Sequence, residues 1–289
     1  MRLVAFSRSG DVGLGALVPE GVADLTAVSP SLGSDMHQLI EAWDAGVVAR
    51  SLALAPVHPL HEVQLQAPLR PRRDVIAVGR NYREHAAEFT RSGFDASEQQ
   101  EVPAAPIVFT KATTSVIGPD EAIVLANDPT GTTDYEGELG VVVGRRCRGV
   151  TREQALDHVF GWTIVNDVTA RELQRRHVQW FIGKSPDTFC PIGPCITTRD
   201  ELPDIGRSWV RTRVNGDERQ HMPVSSLIFD VPSLIETLSS VMTLLPGDVI
   251  ATGTGAGVGI GHEPPVFLAS GDVVEVEIDG IGVLRNPVT

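Results

Sequence analysis

The sequence predicts a β-rich α+β fold, with a small β-containing N-terminal domain over residues 1–70 and a larger domain over 71–289. Three observations carry that reading. Glycine (28) and proline (20) are plentiful and spread along the chain, which suits short strands joined by tight turns. Short apolar runs recur without the regular intervening helix that a doubly wound sheet needs. Segments 209–216 and 272–286 contain the Asn-Gly and Asp-Gly pairs of tight hairpins.

Taken in order, residues 1–70 alternate short apolar pieces with Gly and Pro. One helix is expected there from residue 34 to about 54, with Leu39, Ile40 and Trp43 on its apolar face. Residues 67–73, rich in Pro and Arg, read as a linker. A strand at 74–79 runs into a helix at 81–89 (NYREHAAEF). Further strands are expected at 106–111, 122–126, 134–144 and 161–167. Helices are expected at 151–159, where Thr151 and Gln154 stand at capping-box spacing, and at 169–180. A helix at 230–242, a Pro246-Gly247 turn and a strand at 248–253 precede the last hairpin.

Composition bounds the function. Hydrophobic residues are 42% and charged residues 21%, as in an ordinary folded protein. The net charge of −13 repels phosphate backbones and anionic lipid, so neither nucleic acid nor a membrane is expected as a partner. No signal-peptide pattern and no apolar run of membrane-spanning length is present. Cys147, Cys190 and Cys195 are odd in number and lack metal-site spacing, so they read as reduced residues of a cytoplasmic protein. An anionic substrate would need local cations or a metal against this acidic background.

The residues with the clearest chemistry are Glu136 and Glu138. Two apart on an expected strand, they point to one face and repel each other if buried, and a divalent cation relieves that repulsion. Asp167, at the end of another apolar strand, adds a third oxygen, and such a set suits Mg²⁺ or Mn²⁺. The competing account is a solvated strand face. Glu275-Val276-Glu277 has the same spacing and serves as an internal control.

His85 and Glu88 stand three apart on a helix, where a carboxylate can orient an imidazole as a general base, or can form an ordinary surface pair with it. Lys184, Arg171 and Gln174 could supply contacts to an anion, although Arg171 sits in a charged run that could equally be solvated. The run Gly253–Gly261 never matches a dinucleotide fingerprint and is expected as a flexible loop whose amides approach a small ligand. Cys190 has no histidine nearby in sequence to make it a nucleophile.

The segments 78–88, 134–144, 165–174, 183–194, 214–220, 244–259 and 267–286 together resemble the fumarylacetoacetate hydrolase family in motif, order and spacing. The resemblance implies a mixed β-sandwich roll as catalytic domain, a homodimer, and one Mg²⁺ or Mn²⁺ per chain on Glu136, Glu138 and Asp167. It makes His85 with Glu88 a water-activating dyad on a lid, and places Lys184, Arg171, Gln174 and Thr254 at substrate or oxyanion contacts. The implied reaction is hydrolytic cleavage of a carbon–carbon bond in an acylpyruvate or other 1,3-diketo acid through a stabilised enolate. Decarboxylation of an oxaloacetate-like acid, or isomerisation of a 2-hydroxydienoate in aromatic catabolism, would use the same site. A binding protein that keeps the fold is a third reading. Gly255 stands where many members carry proline, which is expected to loosen the loop, and residues 90–105 are expected to form a variable lid.

Overall fold

A computed structural model describes residues 1–29, 35–94 and 102–289, so part of the expected 90–105 lid lies outside the described residues. The chain opens with β1 (Arg2–Arg8), β2 (Asp11–Val18) and β3 (Gly21–Asp24), an antiparallel meander. In place of one helix over 34–54 come two, α1 (Met36–Glu41) and α2 (Ala45–Leu52). The break has a local cause. Asp44 turns to cap a new helix, its side chain accepting from Val47 N at 2.9 Å. The short strands β4 (Val57–His58) and β5 (Gln64–Leu65) pair with β3 and β1. Within residues 67–73, Ala67 and Leu69 are buried and Arg70 donates to Val116 O at 2.8 Å.

Next, β6 (Val75–Gly79) leads into α3 (Arg83–Arg91), and β7 (Ile107–Lys111) returns antiparallel to β6. After β8 (Val116–Ile117), the strand expected at 122–126 shrinks to one bridge, Ile123 with Val288, and a 3₁₀ turn at Leu125–Asn127. The expected 134–144 strand is split into β9 (Thr133–Asp134) and β10 (Gly137–Val143). Glu136 stands in the gap because its N–H is taken by the Asn166 side chain at 3.0 Å. The expected 151–159 helix is only a 3₁₀ turn at Ala155–His158, since Thr151 Oγ1 faces Gln154 Oε1 and caps no backbone N–H.

Then come β11 (Val159–Asn166) and β12 (Thr169–Ala170). The helix expected over 169–180 is instead α4 (Arg171–Arg176) and α5 (Phe181–Lys184), separated by Val178 at φ 59°. The remaining strands are β13 (Cys190–Thr198), β14 (Trp209–Val214) and β15 (Asp217–Pro223). Helix α6 (Val231–Val241), capped by Asp230, precedes β16 (Val249–Thr254), β17 (Val273–Ile278) and β18 (Gly282–Pro287). Asn215 (φ 55°) and Gly216 (φ 85°) make the left-handed turn that the Asn-Gly signal demands.

Among the described residues the main sheet has 12 strands, in the order β4-β3-β2-β1-β13-β11-β10-β16-β6-β7, with β5 beside β1 and β8 beside β13. A four-stranded sheet, β15-β14-β17-β18, covers one of its faces. Leu139, Val141, Trp162 and Ile164 of the main sheet share a core with Val210, Val274, Val276 and Leu284 of the smaller one. On the opposite face Val142, Val165, Ile196 and Val249 pack with Leu39, Ile40 and Val48 of the N-terminal helices. The β-rich α+β sandwich is therefore as expected, and β10 and β11 are buried on both faces. No helix among the described residues is long and apolar enough to cross a membrane.

Candidate metal centre

Strand pairing builds the site. β10 and β11 run antiparallel with Gly137 opposite Asn166, so Glu136 and Asp167 finish side by side, joined by Asp167 N to Glu136 O at 2.8 Å. Glu138 lies one pair further in, flanked by β11 and β16. Glu136, Glu138 and Asp167 each bring an oxygen within 4.8 Å of the others, and all three residues are buried. The two Glu side chains meet although Glu136 lies outside the strand, because the period-2 direction persists through the break.

Buried like charges need cations. Lys184 Nζ donates to Glu136 Oε2 and to Asp167 Oδ2, each at 2.7 Å. Arg171 places Nη1 2.6 Å from Glu136 Oε1 and Nε 2.8 Å from Asp134 Oδ2. Lys111 Nζ lies 2.7 Å from Asp167 Oδ1, although off the angle a hydrogen bond requires. Burial pushes the Glu136 carboxyl up, but the Lys184 and Arg171 charges outweigh it and hold the group well below the usual range. Glu138 behaves oppositely. Burial, and then the negative charges of Asp167 and Glu136, push its carboxyl well up. Burial opposes the Lys184 charge, but Asp167 and Glu136 outweigh it and raise its pKa.

Four carboxylates, Asp134 included, face three cations here, and Arg80 in the cleft wall and Glu88 behind His85 add one charge of each sign, so one negative charge is in excess when all are ionised. A divalent cation fits this donor set. Hard carboxylate oxygens lie within 4.8 Å of one another, and among the described residues Glu138 pairs with no side-chain cation, its carboxylate accepting instead from the Gly253 N–H at 2.7 Å.

On the other side of the cleft, His85 Nδ1 lies 3.2 Å from Glu88 Oε2, with both side chains largely buried. The expected surface pair is thus excluded. Glu88 Oε1 accepts from Gly257 N at 3.0 Å, and a Cβ at Gly261 would stand 1.8 Å from that oxygen, so a side chain there would push the Glu88 carboxylate aside. The glycine run therefore differs from expectation: its amides grip the protein's own carboxylates. Gly253 N goes to Glu138, Gly257 N to Glu88, and Gly259 N (2.7 Å) and Ile260 N (3.2 Å) to Asp134. Nor does Gly255 loosen the loop, because Gln220 Nε2 holds its carbonyl at 2.8 Å.

His85, Glu136, Glu138, Arg171, Gln174, Lys184 and Thr254 line one cleft with about 10 Å³ of free space, roughly one water molecule. Residues 74–289 match the family model described as the fumarylacetoacetate (FAA) hydrolase C-terminal domain. The chain belongs to the fumarylacetoacetate hydrolase family. Over 233 residues, 80% of this chain and 75% of the relative, it is 47% identical to the oxaloacetate tautomerase YisK of Bacillus subtilis. The solved fumarylacetoacetate hydrolase from psychrophilic Exiguobacterium antarcticum is similar with a TM-score of 0.86 at 41% identity, over 100% of this chain and 99% of that one. The maleylpyruvate hydrolase of Sphingobium sp. SYK-6, solved in complex with manganese(II) ion and pyruvate, is similar with a TM-score of 0.81 at 33% identity, over 100% and 99%.

Within this family frame, all nine residues singled out from the sequence lie at one locus: Glu88 behind His85, and the rest around the cleft. Thr254 has its hydroxyl engaged, donating to Gly137 O at 3.0 Å and accepting from Gln220 Nε2 at 2.8 Å. Cys190 is buried in β13, its thiol pushed up to about 12 by burial, which removes it as a nucleophile. Sequence reasoning missed Lys111 and Asp134. Asp134 anchors Arg171, and its signal was an acid inside an apolar strand next to Glu136. Lys184 arrives because α5 folds back on α4, where a Cβ at Gly183 would stand 2.4 Å from Gln174 N.

Proposed function

We propose that this chain is a divalent-metal-dependent enzyme that forms and reprotonates the enolate of a small 2-oxo acid, with keto–enol tautomerisation of oxaloacetate as its reaction. The observation that supports it most is the facing of two groups across one cleft: three buried carboxylates, two of them paired with Lys184 and Arg171, and a His85–Glu88 dyad. Glu136, Glu138 and Asp167 would hold Mg²⁺ or Mn²⁺. When bound, that ion supplies Lewis acidity to a 2-oxo group and to the enolate charge.

The protein's own groups do the rest. Glu88 accepts from His85 Nδ1–H, which leaves Nε2 as the lone pair that removes the C3 proton and later returns it. Lys184 and Arg171 meet developing negative charge with fixed donors, and Arg171 Nη2, buried without a hydrogen-bond partner among the described residues, is available to a substrate carboxylate. Gln174 orients Arg171 at 3.4 Å. The 47% identical tautomerase supports the choice of substrate.

Hydrolysis of an acylpyruvate is the second reading. The same dyad would activate a water in place of C3, and the likeness to the maleylpyruvate hydrolase favours it. A homodimer is proposed with either reaction, to be tested by light scattering. The deciding experiment follows enol absorbance on chelator-stripped protein with oxaloacetate or an acylpyruvate, with and without Mn²⁺, against a Glu138→Ala control. Metal-dependent enol–keto interconversion with carbon intact supports the tautomerase. Release of pyruvate and a free acid from the acylpyruvate alone would replace it with the hydrolase, and release of CO₂ with a decarboxylase.

A further inference from the structure

Lys111 has no part in the chemistry above, yet its burial is complete. It ends β7, a strand with a neighbour on one side only, and sends its side chain inward. Its Nζ stands 2.7 Å from Asp167 Oδ1, donates to Val168 O at 3.0 Å, and donates to Lys184 O. It does not line the cleft. Taking an ammonium out of water is costly, and an apolar side chain of the same length would fill the space without that cost. A charge kept there calls for a use.

We propose that Lys111 is a positioning residue that sets the charge of the centre, favouring an anionic substrate at the expense of affinity for the cation. The proposal rests on the reading of a divalent cation and an anionic 2-oxo acid. Asp167 is shared: Lys184 occupies Oδ2 and Lys111 stands at Oδ1, so both oxygens already face an ammonium. With the four carboxylates and three cations named above, a divalent ion brings the centre to one positive charge, and a substrate carboxylate is attracted. Without the Lys111 charge, the same centre with its ion is neutral.

Two effects compete when Lys111 is replaced by methionine. Asp167 loses one of its holders, which weakens cation binding, and the cation loses a nearby like charge, which strengthens it. The second should win. Asp167 keeps Lys184 at 2.7 Å and its own N–H bond to Glu136 O at 2.8 Å, so its position is still fixed. The Coulomb change acts on a doubly charged ion at close range in a buried site.

The experiment measures Mn²⁺ binding by EPR on chelator-stripped protein, and KM and kcat for oxaloacetate on loaded protein, for wild type, Lys111→Met and Lys111→Arg. Lys111→Met should bind Mn²⁺ about tenfold tighter and raise KM by a similar factor, and Lys111→Arg should keep both within about threefold. Shifts of opposite sign are not what a purely structural residue gives, since lost packing weakens both. Circular dichroism checks the fold, and Lys111→Gln replaces methionine if that variant does not fold. Unchanged or weaker Mn²⁺ binding with an intact fold, or an unchanged KM, overturns the proposal. A wild-type protein that binds no Mn²⁺ overturns the metal reading and this one with it.

Discussion

Two Glu-x-Glu pairs of identical spacing occur in this chain, one at the head of β10 and one on β17, and their surroundings diverge completely. Glu136 and Glu138 sit at the head of β10, with β11 and β16 on either side and packed layers above and below. They are 4% and 1% exposed, and the cations around Glu136 are buried too. Glu275 and Glu277 lie on β17, with buried Val274, Val276 and Ile278 alternating between them. Their side chains are half-buried and face arginines: Arg213 reaches Glu277 at 2.7 Å, and Arg285 stands opposite Glu275 in the register. Strand spacing fixes a shared direction for two carboxylates. Whether water or protein lies in that direction decides what they do.

The comparison can be broken or sharpened in descending order of effect. Glu138→Ala should cost on the order of 10³-fold in kcat/KM or more, with the fold retained, because the proposed metal site would lose one of its three carboxylates. Steady-state kinetics with circular dichroism checks this. His85→Gln should cost roughly 10²-fold or more in kcat yet leave Mn²⁺ affinity unchanged, read from kinetics beside EPR. Asp134→Asn takes from the buried Arg171 one of its two carboxylate partners and should destabilise the protein by about 3 kcal/mol in chemical denaturation.

A pH prediction follows from Glu138. Burial and the charges of Asp167 and Glu136 raise its carboxyl pKa in the metal-free protein, so the folded state holds a proton that the unfolded chain has lost. That contribution to stability is present at low pH and lost as pH rises through the raised value. A cation takes over the proton's role there, so the rise in Tm produced by Mn²⁺ should grow with pH, as differential scanning fluorimetry would show. At the small end, Glu277→Ala should leave activity unchanged and alter stability by only about 0–1 kcal/mol, as for other half-exposed pairs.

Local signals were legible where chemistry is local. The Asn215-Gly216 and Asp279-Gly280 turns, the β10 and β11 cores and the His85–Glu88 spacing could all be read directly. The helix expected over 34–54 was interrupted by Asp44, whose side chain caps α2, a contact that apolar periodicity does not register. The strand expected at 122–126 is reduced to one bridge because its pairing with the far C-terminus stops within a few residues, at Ile123 and Leu125. Lys111 and Asp134 were hidden for a related reason. A charge in a strand reads as solvent-facing until tertiary packing brings Asp167 to one and Arg171 to the other. The glycine run was misread because glycine signals close approach without saying what approaches, and here it is Glu88, Glu138 and Asp134.

The most direct test of the contrast between the two pairs is a Mn²⁺ titration followed by EPR on chelator-stripped wild type, Glu138→Ala and Glu277→Ala. One bound ion per chain in wild type and Glu277→Ala, with none in Glu138→Ala, is the predicted result. Equal binding in all three proteins, or loss in Glu277→Ala alone, would contradict the assignment of the ion to the buried pair.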